Sequence, residues 1–247
     1  MVLSASPILK FGAVAVLGIC LAGTLAACDT TQNKAARLKI RNDRQLADTN
    51  PVKVTTPAPG VEVLDTDVVN GKGGAVAVTI QNASAEPVTD LPLVVSVRDG
   101  GKEVELNGKP KSYYQAHAPA LAPGAEGTWI FTSRDRIPDG AVTARVGVAV
   151  NPPATADGIP NLTAEATPPT PTKNGATIEV EVSNPESFPQ YNVPVYAWAK
   201  SGDTYVAAGQ ALITDIHPGS SRSVQVKLIG DPGNNQVEIF APATIFK

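Results

Sequence analysis

The sequence predicts an all-β protein made of two tandem β-sandwiches. Three observations carry that prediction. Apolar residues alternate with small or polar ones over several short runs, which is the period of a strand with one buried face. Val, Thr and Ala dominate over strong helix formers, and 21 glycines and 22 prolines in 247 residues punctuate the runs. The body of the chain also repeats itself, block for block.

The N-terminal segment stands apart from that body. Lys10 is the only charged side chain between Met1 and Ala27, Phe11 to Leu25 is apolar, and Asp29-Thr30-Thr31-Gln32-Asn33 turns polar at once. The apolar run is shorter than the roughly 20 residues a bilayer-crossing helix needs, so it reads as an export signal. Its end, Leu25-Ala26-Ala27-Cys28, resembles the lipobox of bacterial lipoproteins. The resemblance implies cleavage before Cys28 and acyl chains, palmitate among them, on its thiol and amine. An extracytoplasmic body would then be held at the bacterial cell membrane by lipid. An ordinary signal, or an uncleaved anchor with Cys28 incidental, is the alternative. The division that follows is a signal peptide over 1–27, a lipid-anchored flexible tether over 28–59, sandwiches over 60–150 and 159–247, and a linker over 151–158.

Within the tether a short helix is admissible over Ala35 to Leu46, but Leu38, Ile40 and Leu46 are too sparse to bury one face. Asn50 to Gly60, with Pro51, Pro57 and Pro59, reads as extended linker. Between Asp29 and Lys53 six basic residues face three acidic ones, a balance of +3. With Lys10 counted, the chain from Val54 onward carries −7 of the total −3. The basic stretch suits either anionic lipid head groups or plain solvation. The acidic body argues against nucleic acid. Cys20 would leave with the signal, so the mature body has no cysteine for a disulfide and must be held by buried apolar area.

The repeat pairs Ala75-Val76-Ala77-Val78-Thr79-Ile80-Gln81-Asn82 with Thr177-Ile178-Glu179-Val180-Glu181-Val182-Ser183-Asn184. Leu91-Pro92-Leu93 then pairs with Val193-Pro194-Val195, Gly100 with Gly202, and Leu121-Ala122-Pro123-Gly124 with Ile216-His217-Pro218-Gly219. Extra residues near Leu106 to Tyr113 belong to the first copy alone. Val76, Val78 and Ile80, like Ile178, Val180 and Val182, are expected to face a core, with their neighbours toward water. Asn82 and Asn184 end their strands, where a short polar side chain can bond nearby backbone. Asp99-Gly100-Gly101 supplies a tight turn, and the Pro-Gly pairs lead into further strands at Thr128 to Phe131 and Ser223 to Leu228.

An alternation ending in Asn, a second strand with a glycine turn, and a hydrophobic-x-Pro-Gly turn before a last strand resemble bacterial immunoglobulin-like modules of the FxLYD and CARDB kind. The resemblance implies stalks, spacers or binding surfaces rather than catalysis.

The residues themselves offer little chemistry. His117 and His217 occupy different places in the two copies, and both are expected in exposed turns. Neither soft metal ligands nor a regular calcium spacing around Asp135, Asp139 or Asp231 is present. No nucleophile elbow or S-x-x-K pair occurs. No catalytic residue, metal or cofactor is expected. Trp129 reads as core. On the repeat register Tyr196 and Trp198 point away from their own core and form a candidate binding surface. The alternative packs them inward and leaves the neighbouring alanines outside.

The expected function is that of a non-enzymatic lipid-anchored protein presenting two sandwiches to a protein partner, as an accessory subunit of a cell-envelope complex. The alternatives are a cell-wall or carbohydrate-binding module and an extracytoplasmic enzyme.

Overall fold

In the computed structural model, which describes residues 31–149 and 158–246, the chain is all-β apart from one helix and a 3-10 turn. The helix α1 (Thr31–Leu46) comes first. Strands β1 (Val61–Gly71), β2 (Gly73–Asn82), β3 (Val88–Asp99), β4 (Lys102–Glu105), β5 (His117–Leu121), β6 (Glu126–Ser133) and β7 (Val142–Val146) form the N-terminal half. The C-terminal half holds β8 (Thr163–Ala166), β9 (Thr170–Thr172), β10 (Gly175–Asn184), β11 (Gln190–Ser201), β12 (Thr204–Ile216), β13 (Ser220–Gly230) and β14 (Val237–Phe240). All pairings are antiparallel.

The repeat is visible in the topology. In the N-terminal half β2 pairs with β1 and β6, and β3 pairs with β4, β5 and β7. In the C-terminal half β10 likewise pairs with β8, β9 and β13, and β11 pairs with β12 and β14. Val76, Val78 and Ile80 are buried, as are Ile178, Val180 and Val182, on the faces the alternation assigns.

The same polar clamp ends the first strand of each copy. Asn82 Nδ2 donates to the carbonyls of Glu86 (2.8 Å), Leu121 (3.1 Å) and Ala122 (3.2 Å). Asn184 Nδ2 donates to Phe188 (2.9 Å), Ile216 (3.2 Å) and His217 (3.4 Å). Each buried amide thus ties a strand end to the Pro-Gly turn that the sequence aligns with it.

The extra residues of the first copy divide what is one long strand, β12, in the second. Between β4 and β5 the buried Asn107 takes over the role of strand backbone. Its Oδ1 accepts from Val95 N (2.9 Å), and its Nδ2 donates to Leu93 O (2.7 Å) and Gln115 O (3.0 Å).

One expectation from the alternation does not hold in the first copy. Ala75 and Ala77, on the face expected toward water, are fully buried, so β2 is covered on both sides. The cover is the C-terminal half, and a shared apolar cluster joins Ala75, Ala77 and Ile130 to Tyr196, Trp198, Tyr205 and Ala208. Four layers therefore stack, with the β1/β2/β6 layer against the β11/β12/β14 layer in the middle, and the two C-terminal layers join through the β12–β13 pairing into one seven-stranded sheet. In β10, whose outer face has no such cover, Glu179 and Glu181 are exposed.

Candidate functional site

Two places in the fold bring functional side chains together: the junction of α1 with the body, and the seam between the halves. At the first, the segment expected as a flexible tether is instead structured from Thr31 onward. Ala35, Leu38, Asn42 and Gln45 turn toward the body at helical spacing. The contact is mainly polar, which is why apolar periodicity underrated it. Asn192 Nδ2, at the start of β11, donates to Asn42 Oδ1 (2.8 Å) and Asp43 Oδ1 (2.9 Å). Gln45 Nε2 donates to Asp90 Oδ1 in β3 (3.3 Å). One helix therefore grips both halves. Beyond it Pro57 bridges Gly147 and the Ala58 amide donates to Val146 O (3.0 Å), so the chain stays against the body up to β1.

Beneath the last turns of α1 lies a cavity of about 350 Å³ that Gln45, Asp48, Asp90, Tyr113 and Tyr114 help to line. The Tyr113 hydroxyl donates to Asp90, and the Tyr113 ring stacks on His117 with centroids 3.8 Å apart. Burial lifts the Asp90 carboxyl to about 6, against a smaller opposing pull from the Gln45 hydrogen bond. Burial also lowers His117 to about 4, with Asp48 opposing. His117 is thus a half-buried member of β5 and not a residue of an exposed turn. His217 does sit in an exposed turn, 3.5 Å from Asp215.

On its other flank α1 borders an open groove of about 740 Å³. Leu38, Phe188, Tyr191 and Phe246 give it apolar walls, and the exposed Lys34 and Arg41 border it.

At the seam, Tyr196 and Trp198 project away from the C-terminal half's own core, which holds Val193, Val195, Ala197 and Ala199. The register that puts the aromatics outward is the one observed, and the N-terminal half covers them. Tyr196 is fully buried and Trp198 is 7% exposed. As a candidate binding surface they are occupied within the chain, because the small Ala75 and Ala77 let the two sheets approach. Polar contacts frame the seam. The Tyr205 and Thr79 hydroxyls share a bond at 2.6 Å, Tyr205 N donates to Asp67 Oδ2 (3.2 Å), and Lys200 pairs with Asp65 at 2.9 Å. Lys200 also lies over the Tyr205 ring, 4.2 Å from its centroid. The Tyr196 hydroxyl alone has no hydrogen-bond partner among the described buried side chains, and burial raises its pKa.

Trp129 is core, its indole donating to Tyr114 O at 2.8 Å. Cys28 lies outside the described residues. Among the described residues no group of three or more His, Cys, Asp or Glu is placed to hold a metal ion. No helix among them is long and apolar enough to cross a membrane.

Sequence reasoning missed Asn42, Gln45, Asp90 and Asn192. A signal was present: the aligned Leu91-Pro92 and Val193-Pro194 are each preceded by a residue type that tolerates left-handed backbone.

No protein-family model matches the chain. A comparison with curated proteins likewise finds no match.

Proposed function

We propose that this is a non-enzymatic, lipid-anchored extracytoplasmic protein whose body serves as a preassembled platform for protein–protein interaction, as an accessory subunit of a bacterial cell-envelope complex. The observation that carries the reading is the grip of α1 on both halves. An acyl anchor at Cys28 would sit three residues ahead of Thr31, where that helix begins. Because Asn42 binds Asn192 and Gln45 binds Asp90, such an anchor would set the orientation of the whole body instead of trailing from a loose tether. The exposed Lys34 and Arg41 beside the groove support an approach to anionic head groups, each cation near such a surface contributing on the order of 1 kcal/mol.

The partner-facing surface in this reading lies outside the seam, since the N-terminal half covers Tyr196 and Trp198. Every Trp and Tyr is largely buried, so no exposed row of tryptophans and tyrosines is available to stack on sugars. The intact mass of protein extracted from membranes tests the anchor. The reading expects a chain beginning at Cys28 with added lipid mass, and Cys28→Ser to abolish both cleavage at that site and the addition. An unmodified Cys28 in a full-length membrane-retained chain contradicts it.

A further inference from the structure

We propose that the cleft at one end of the seam binds an anionic saccharide, a hydroxyl-rich chain carrying phosphate or carboxylate groups. The cleft holds about 750 Å³, within the size range of small-ligand sites and large enough for a few sugar or polyol units. Its walls come from both halves. Gln210 Nε2 of β12 donates to Thr132 Oγ1 of β6 at 3.0 Å, so the site exists only while the halves are docked.

Four cations line the cleft, each from a different segment. Lys72 lies in the β1–β2 turn, Lys111 in the insertion peculiar to the first copy, Arg134 just after β6, and Lys227 in β13. No lining residue is acidic. None of the four cations takes part in an ion pair among the described residues, whereas Lys39, Arg145 and Lys200 all have carboxylate partners. This gathering runs against the composition, because the chain from Val54 onward carries −7. A concave surface lined by one sign of charge concentrates ions of the other sign.

The neutral side chains between the cations narrow the ligand class. Thr132, Ser133, Thr172, Asn174 and Gln210 carry hydroxyls or amides, which both donate and accept hydrogen bonds. A bare anion needs donors alone, while a sugar or polyol hydroxyl uses both. No aromatic side chain lines the cleft, so nucleobases would find no stacking surface. The extracytoplasmic location proposed above bears only on where such a ligand would be met, and the chemistry of the cleft stands without it.

Isothermal titration at low ionic strength tests the site, using the mature chain with Cys28→Ser so that the result is independent of acylation. The probes are a glycerol-phosphate oligomer, a galacturonic-acid oligomer, a glutamate oligomer and neutral maltohexaose. Binding of at least one of the first two is expected at one per chain, weakened about tenfold or more by Lys72→Gln with Arg134→Gln and by added salt. The first two probes distinguish a phosphate from a carboxylate source. Maltohexaose is expected not to bind, and Arg98→Gln with Lys102→Gln at the β3–β4 turn is expected to change nothing. Lys72, Arg134, Arg98 and Lys102 are exposed, and unchanged thermal melting confirms that the variants fold. The proposal is overturned if neither anionic saccharide binds, if the β3–β4 variant loses as much as the cleft variant, or if the glutamate oligomer binds as tightly.

Discussion

Asp90 and Asn192 hold the same place in the two copies of the repeat, each one residue before an x-Pro step, and both adopt left-handed backbone, at φ 60° and 51°. Among the described residues they are the only non-glycine residues with positive φ. Both side chains are bound by α1. Duplication thus produced two equivalent bends, and a single helix outside the repeat spans them. The bends turn the start of β3 and of β11 toward α1, which is how a helix with few apolar residues gains a fixed seat.

The first prediction follows from that seat. Asn192→Gly keeps the backbone angle and removes two hydrogen bonds, at a cost of about 1–2 kcal/mol. Asn192→Ala removes the same bonds and adds left-handed strain of roughly 1–2 kcal/mol, so it is the less stable of the two. Faster amide hydrogen exchange over residues 31–46 is expected in both variants. Exchange in α1 that matches the parent chain would contradict the docking.

At the seam, two tyrosine-to-phenylalanine changes should differ. Tyr205→Phe breaks the 2.6 Å bond to Thr79 and is expected to cost about 1 kcal/mol. Tyr196→Phe removes a buried hydroxyl without a partner and is expected to be neutral or stabilising. Trp198→Ala, by contrast, should cost about 3–5 kcal/mol because both sheets lose a shared filler. Denaturant titration of the three variants orders them, and a costly Tyr196→Phe would contradict this seam geometry.

The asparagine clamps should behave alike. Asn82→Ala and Asn184→Ala each remove three hydrogen bonds between a strand end and its turn and are expected to cost about 1–3 kcal/mol. The sites share no partner, so the double variant should lose roughly the sum. A neutral effect at either position would show that its turn is held by something else.

Acidification sets two groups against each other. Folded Asp90 takes up its proton near 6, above the ordinary 3.8, so lowering the pH through that window favours the folded state. Folded His117 resists protonation until about 4, below the ordinary 6.5, so lowering the pH through its window favours the unfolded state. The two effects oppose each other over nearly the same range. Asp90→Asn should therefore make stability fall more steeply between pH 6.5 and 4, and His117→Gln should make it fall less. Urea titrations at steps across that range check both slopes, and profiles parallel to the parent chain would contradict the assignment.

The strand register was legible in the sequence because period-2 alternation, once aligned between copies, fixes which residues share a face, but whether the aromatics or the alanines of β11 met their own core stayed open. Val195 and Tyr196 could be placed on opposite faces from that alone. What covered Tyr196 was not legible. The alanines of β2 read as residues that tolerate water, and their use as a close-packing surface depends on a contact between segments more than 100 residues apart. The seat of α1 stayed hidden for a different reason, since Asn42 and Gln45 carry no periodic apolar signal. The cationic cleft draws its four charges from four segments that nothing in the sequence brings together.

The two halves and α1 form one body that an anchor could orient as a unit. Cys20 and Cys28 are the only cysteines, so a mature chain with Cys28→Ser can be spin-labelled at will. Labels at Val104→Cys and Glu181→Cys, both exposed and on the two outermost layers, report the relation of the halves directly. Pulsed electron double resonance should give a single narrow distance, broadened when Trp198→Ala loosens the seam. A broad or bimodal distribution in the parent chain would contradict the account.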